Sequence, residues 1–263
     1  MRILFIGDIV GKPGRKLVAH FLPILRREKG PIHFVVVNAE NAAAGFGLTE
    51  RLAEDLFSMG IDVLTSGNHI WDKKELLPVL DREPRILRPA NYPPPAPGRG
   101  IGVYEKNGHK LAVINMQGRA FMPPIDCPFR TTERLLEGVS TPCILVDFHA
   151  EATAEKLALA RYLDGQISVL VGTHTHTQTA DDRLLPRGTA YITDVGMTGG
   201  HGGVIGMALN SVLPKFLAGI PSRFEIEETD PRLQAVLIDV DEETGRALSI
   251  EKLDLSFSEE SPV

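Results

Sequence analysis

The segments Asn38-Ala39-Glu40-Asn41, Gly67-Asn68-His69 and Gly172-Thr173-His174-Thr175-His176 each close a short apolar run with side chains that bind metal ions. Asp8, after the run at 3–6, and His149, after the run at 143–148, stand in the same kind of place. Each has a plainer reading when taken alone. An aspartate after a first strand is usually a turn or helix cap, and a histidine behind Phe148 is usually a hydrogen-bonded core residue. His174 and His176 carry more weight, since alternating residues of an extended segment share one face. Four of the chain's eight histidines fall at these strand ends. Together the residues offer a mixed imidazole and oxygen shell large enough for two ions. A two-metal centre with an open face suits displacement at phosphorus. Ligands of this kind, with no thiolate, favour Fe, Mn or Zn over Ca.

The elements that must position them alternate in the rhythm of an α/β protein. Strands are expected at 3–6, 34–37 and 63–65. The first helix runs from near Pro13 to about Lys29, a second is capped by Thr49, and a third helical stretch covers 73–80. The proline-rich tract 90–100 is irregular. Asn107-Gly108 then joins strands 101–104 and 111–115 in a hairpin. Further strands are expected at 143–148, 169–171 and 190–193, with a helix at 151–163. Strands 233–240 and 247–253 close a second hairpin around Glu242-Glu243-Thr244-Gly245, and the end frays from Glu259 on. Parallel units first and hairpins later predict a mixed sheet, or a pair of packed sheets flanked by helices, in one domain over 1–263. In open α/β sheets ligands bind beyond the carboxyl ends of the strands, where all these side chains lie.

Composition narrows the function. At 43% hydrophobic and 24% charged residues the chain supports a large core. A net charge of -6 argues against coating nucleic acid or reading its sequence. Bound cations would still make the site itself attractive to phosphate. No apolar run approaches the roughly 18 residues of a membrane span, and no signal peptide is evident, so the cytoplasm is the expected address. Cys127 and Cys143 are too few for a disulfide framework, and Cys143 reads as core.

The order Asp, acidic residue with Asn, Gly-Asn-His, His, His-x-His resembles the calcineurin-like metallophosphoesterases, and most closely their bacterial YmdB-type branch, from Gly7-Asp8 to His176. Val10 stands where the wider family has histidine, and Glu40 where it has a bridging aspartate; both features match the narrower branch. The resemblance implies an α/β sandwich of two packed mixed β-sheets flanked by helices. It implies one metal held by Asp8, Glu40, Asn41 and His176, and a second by Glu40, Asn68, His149 and His174. It also implies two transition-metal ions per chain, Fe or Mn before Zn, and 2',3'-cyclic nucleoside monophosphates as substrates. Hydroxide bridging the ions would attack phosphorus, and His69 would protonate the leaving alkoxide as general acid.

Two other readings stand beside this diesterase: a phosphomonoesterase or nucleotidase on the same centre, and a metal-loaded regulatory protein acting on a partner such as an RNA-processing assembly. A homo-oligomer is compatible with all three. Other motifs are set aside. Residues 7–12 are too short for a phosphate loop. The cluster Gly199-Gly200-His201-Gly202-Gly203 is expected to be a flexible loop near the site, with His201 a weak candidate for substrate contact. Gly45-Phe46-Gly47 suggests a mobile lip with Phe46 free to stack on a base, although a loop packing residue is the favoured reading of Phe46; Arg119 and Arg130 read as surface charge, and Trp71 as packing.

Overall fold

Residues 3–6, 34–37 and 63–65 are unbroken apolar runs because both faces of their strands are covered. The computed structural model describes residues 1–257, so the end from Glu259 lies outside the described residues. It contains two mixed sheets. In the first, the order is Asp8–Ile9, Met197–Gly200, Pro231–Val240, Arg2–Ile6, Phe34–Asn38 and Val63–Thr65, with Ala247–Ser256 also paired to Pro231–Val240. In the second, the order is Ile101–Lys106, His109–Gln117, Ile144–His149, Val169–Thr173, Ala190–Ile192 and Arg183–Leu184.

Period-2 alternation builds the layers. Ile3, Phe5, Phe34 and Val36 face Leu111, Val113, Leu145 and Val171 in a core between the sheets. Leu4, Ile6, Val35 and Val37 point the other way, onto Leu17, Phe21 and Leu25 of the helix Gly11–Glu28 and Leu56 of Glu50–Ser58. The far face of the second sheet packs Ile114, Val146 and Leu170 against Leu159 and Leu163 of the helix Thr153–Leu163. This is the expected sandwich of two mixed sheets flanked by helices. Arg2–Ile6, Phe34–Asn38 and Val63–Thr65 run parallel, as do His109–Gln117, Ile144–His149 and Val169–Thr173.

Thr49 caps its helix through Leu52 N, as expected. Asn107 (φ 51°) and Gly108 (φ 83°) make the hairpin turn. Two helices, Pro128–Leu136 and Leu209–Ala218, have no counterpart in the sequence pattern. Each carries a proline, at the start or at Pro214, which obscures helical periodicity. The expected glycine loop at 199–203 is corrected in part: Gly199 and Gly200 end the buried strand Met197–Gly200, while 201–203 are irregular. The strand's small residues admit close neighbours, since a Cβ at Gly200 would lie 2.3 Å from Glu227 O. Among the described residues no helix is long and apolar enough to cross a membrane.

Gly14 lies where the first helix crosses that strand, and a Cβ there would lie 2.2 Å from Thr198 O. An interior helical Gly→Ala change ordinarily stabilises by about 0.5–1 kcal/mol. Here Gly14→Ala is expected to lower the melting temperature. Melting at or above the wild-type temperature would show that helix and strand have room to spare.

Candidate metal centre

The residues singled out at strand ends come from both sheets and meet where the carboxyl edges of the two face each other. They do not share one sheet edge. Glu40 follows Phe34–Asn38 of the first sheet, and His149 ends Ile144–His149 of the second; His149 Nε2 lies 3.0 Å from Glu40 Oε1. The same nitrogen is 3.2 Å from Asn68 Oδ1 and 3.0 Å from His174 Nδ1. His176 Nε2 is 3.1 Å from the Asn41 amide nitrogen and 4.0 Å from Asp8 Oδ1. Asp8 Oδ2 accepts from the His174 amide, and Glu40 Oε2 from the His69 amide at 3.0 Å. Asp8, Glu40, Asn41, Asn68, His69, His149, His174 and His176 thus form one connected cluster.

The chemistry of the cluster fits a cation. The Nδ1 of His149 is engaged by Thr173 Oγ1 at 2.9 Å. Its Nε2 is then surrounded by a carboxylate oxygen, an amide oxygen and a second imidazole nitrogen, all rich in lone pairs. One proton on Nε2 satisfies only one of them, whereas a metal ion satisfies all. Glu40, His149 and His174 present ligand atoms within 4.8 Å of one another. Asp8 Oδ1 is buried without a hydrogen-bond partner, which an adjacent cation would supply.

Without metal the site must hold its charge by proton sharing. Burial opposes charge on His149, but Glu40, then Asp8, hold its pKa up at about 9. Burial pushes Glu40 up, and His149 more than offsets this, leaving it at about 2. Burial, and then the charge of His149, drive His174 down to about 3. Burial lifts Asp8 well above the usual carboxylate range, with Glu40 adding to the effect. A metal ion would displace the proton shared between His149 and Glu40.

Several contacts that the sequence pattern does not reveal fix these orientations. Asp147 Oδ1 accepts from Thr173 Oγ1 at 2.7 Å and its Oδ2 from Asn38 at 3.1 Å, so the hydroxyl oxygen is free to accept from His149. The carbonyl of Ile205 accepts from His176 Nδ1 at 2.9 Å, which turns Nε2 inward. Glu151 lies 3.2 Å from His174 Nε2. Lys156 Nζ donates to Thr173 O and to Asp194, both at 2.8 Å, and Asp194 also accepts from Thr175 N. His174 (φ 102°) and His176 (φ 62°) are left-handed, so their rings converge through a coiled turn and not along an extended face. Asp147 and Glu151, each two residues from His149, and Thr173, next to His174, offered a signal by proximity in sequence.

His69 stands at the rim, 29% exposed, with Nδ1 2.8 Å from Asp72 Oδ2. Asp72, three residues on, was within reach of a sequence argument. The Phe46 ring packs edge-on against the His69 ring, centroids 4.9 Å apart. Trp71 packs on Tyr92 at 5.0 Å, as expected. Arg119 is exposed and turns to Cys127 Sγ at 3.5 Å, while Arg130 is exposed on its helix. His201 Nδ1 is bound to Gly199 O at 3.1 Å, and among the described residues no hydrogen bond joins its ring to the cluster.

A family model for YmdB-like protein matches residues 4–253. The chain is 51% identical over 255 residues, 96% of each sequence, to the 2',3'-cyclic-nucleotide 2'-phosphodiesterase of Bacillus subtilis (strain 168). The crystal structure of a hypothetical protein from Thermus thermophilus superposes with a TM-score of 0.92 at 42% identity, covering 97% of this chain and 99% of that one. That of a novel phosphatase from Mycoplasma pneumoniae gives 0.92 at 35% identity, covering 97% and 93%.

Gly67 makes the convergence possible. A Cβ there would lie 2.1 Å from His149 Cδ2 and 2.2 Å from Nε2. Gly67→Ala is expected to displace the imidazole and weaken Mn binding, measured by calorimetry, by about tenfold or more, with the circular dichroism spectrum unchanged. Wild-type affinity in this variant would mean that His149 is not needed where it stands.

Proposed function

This chain belongs to the YmdB-like family, within the calcineurin-like metallophosphoesterases, and on that footing we propose that it is a metal-dependent phosphodiesterase hydrolysing small cyclic nucleotides, foremost 2',3'-cyclic nucleoside monophosphates. The observation that carries the metal-centred chemistry is the ring of lone-pair donors about His149 Nε2. The cyclic substrate rests on the 51% identical relative, whose name states it.

In this reading Asp8, Glu40, Asn41 and His176 hold one ion, and Glu40, Asn68, His149 and His174 a second. Fe or Mn is favoured over Zn. Glu40, whose Oε1 faces both His149 and Asn41, would be the residue the two ions share. The Asn41 amide faces His176 with its nitrogen, so ligation through oxygen needs a half-turn of the amide. When bound, the ions supply Lewis acidity toward a phosphoryl oxygen and lower the pKa of water.

The chain's own groups do the rest. Asp72 fixes the His69 ring through Nδ1, which leaves Nε2 directed at the rim, able to give a proton to the departing sugar oxygen. The His69 backbone amide holds Glu40 Oε2, so acid and carboxylate are tied to one another in position. Thr173 and the Ile205 carbonyl hold His149 and His176 in the tautomers that leave Nε2 free for a ligand role. No protein nucleophile is required.

The proposal is open to direct test. Chelation should abolish hydrolysis and added Mn restore it. Turnover of cyclic nucleotides, bis-p-nitrophenyl phosphate and simple monoesters separates the diesterase from the phosphomonoesterase; turnover of monoesters alone would overturn it. His69→Ala should reduce kcat by about 10²–10⁴-fold with metal content unchanged, and loss of metal would instead make His69 structural. Glu40→Gln should abolish hydrolysis in a folded protein; a cellular role that survives this change would favour the regulatory reading.

A further inference from the structure

A cavity of about 700 Å³ opens beside His69, walled by Phe46, Lys73, Arg223, Phe224 and Ile226. Phe46 forms the partition: one part of its ring rests on the His69 imidazole and the residue also lines the cavity. The cavity and the rim of the metal cluster are therefore one side chain apart. The opposite end is tied to the cluster as well. Ile205, whose carbonyl holds His176, lies in the turn Val204–Met207, and Met207 pairs with Ile226 of the cavity wall.

The walls are brought together by glycine. Gly45 (φ 90°) and Gly47 (φ 83°) flank Phe46 in the left-handed region. A Cβ at Gly45 would lie 2.7 Å from Ile226 Cδ1, and one at Gly47 would lie 2.8 Å from Lys73 Cγ. Both flanks of the Phe46 loop are thus in backbone-close contact with other walls of the cavity. Phe46, Phe224 and Ile226 pack on a small apolar cluster of Val10, Met197, Met207 and Val212, separate from the three larger cores. Lys215 lies over one face of Phe224, 5.4 Å from its centroid. The ion pairs of the described residues engage neither Lys73 nor Arg223.

We propose that this cavity seats the nucleobase of the substrate, with Phe46 and Phe224 as its stacking walls. The inference rests on the cyclic-nucleotide reading given above and adds the place where the nucleoside is held. Aromatic faces bind any base by stacking. Lys73 and Arg223 donate hydrogen bonds while Glu225, which also lines the cavity, accepts them, so the polar walls suit the mixed acceptors and donors of a base edge. In a cyclic nucleotide the base stands one sugar away from the phosphate. The cavity stands one side chain away from the proton donor. A leaving sugar oxygen protonated by His69 would belong to the same sugar that carries the base into the cavity.

The test uses metal-loaded protein and two diesters that share a five-membered phosphate ring, 2',3'-cyclic AMP and glycerol 1,2-cyclic phosphate, the second having no nucleoside. Wild-type protein is expected to prefer the nucleotide in kcat/KM by about tenfold or more. Phe224→Leu, which keeps apolar bulk and removes the ring, should reduce that preference about tenfold through KM, and Phe224→Ala at least as much. Calorimetry with adenosine gives a readout independent of turnover, with binding to wild type weakened about tenfold in both variants. Equal use of the two diesters without adenosine binding overturns the base site and leaves the phosphodiesterase intact. A preference unchanged in both variants overturns it as well. Adenosine binding that the Phe224 variants weaken, with neither diester hydrolysed, supports the base site and overturns the reaction.

Discussion

Lone pairs held against one another away from water repel, and a fold must be stiff to impose that arrangement. His149 Nε2, Glu40 Oε1, Asn68 Oδ1 and His174 Nδ1 crowd together at the meeting of two sheets. The crowding depends on parallel strands whose carboxyl ends are fixed by core packing on both faces. Between the sheets there is little give, since Phe5 and Phe34 interdigitate with the fully buried Val113, Leu145 and Val171. Asn115 adds a polar tie across the interface, accepting from Ser66 N at 2.9 Å and donating to Ser66 O at 2.8 Å. This holds the loop bearing Gly67 and Asn68 onto the sheet bearing His149.

Local strain is held in the same way. Left-handed backbone at two histidines costs about 1–3 kcal/mol each and persists only where the surroundings over-determine it. The buried Lys156–Asp194 pair supplies the restraint, with Thr173 O on the ammonium and the Thr175 amide on the carboxylate. Such a pair is weak evidence for overall stability, because desolvation offsets its attraction. Its effect here is positional: it fixes the backbone on either side of His174. The edge that carries the cluster is therefore held firmly from beneath, while His69 and Phe46 lie at its more exposed rim.

The fold was legible where one physical signal dominated. Unbroken apolar runs located the doubly covered strands, Asn107-Gly108 located a hairpin, and Thr49 located a helix start. Met197–Gly200 was not legible, because Gly199 and Gly200 sit in close contact with Val10 and Glu227, a tertiary demand that mimics a flexible loop. The cluster was legible because strand ends in α/β folds point to a common side. Most contacts that orient it were hidden: Asp194, Lys156 and the Ile205 carbonyl are remote in sequence and carry no motif. The rings of His174 and His176 do converge, although by a coiled turn that alternation could not anticipate.

Anomalous diffraction from crystals reconstituted with Mn addresses the central claim most directly. Two peaks roughly 3.5–4 Å apart are expected, one among Asp8, Glu40, Asn41 and His176 and the other among Glu40, Asn68, His149 and His174. A single peak, or ions bound away from Glu40, would contradict the claim.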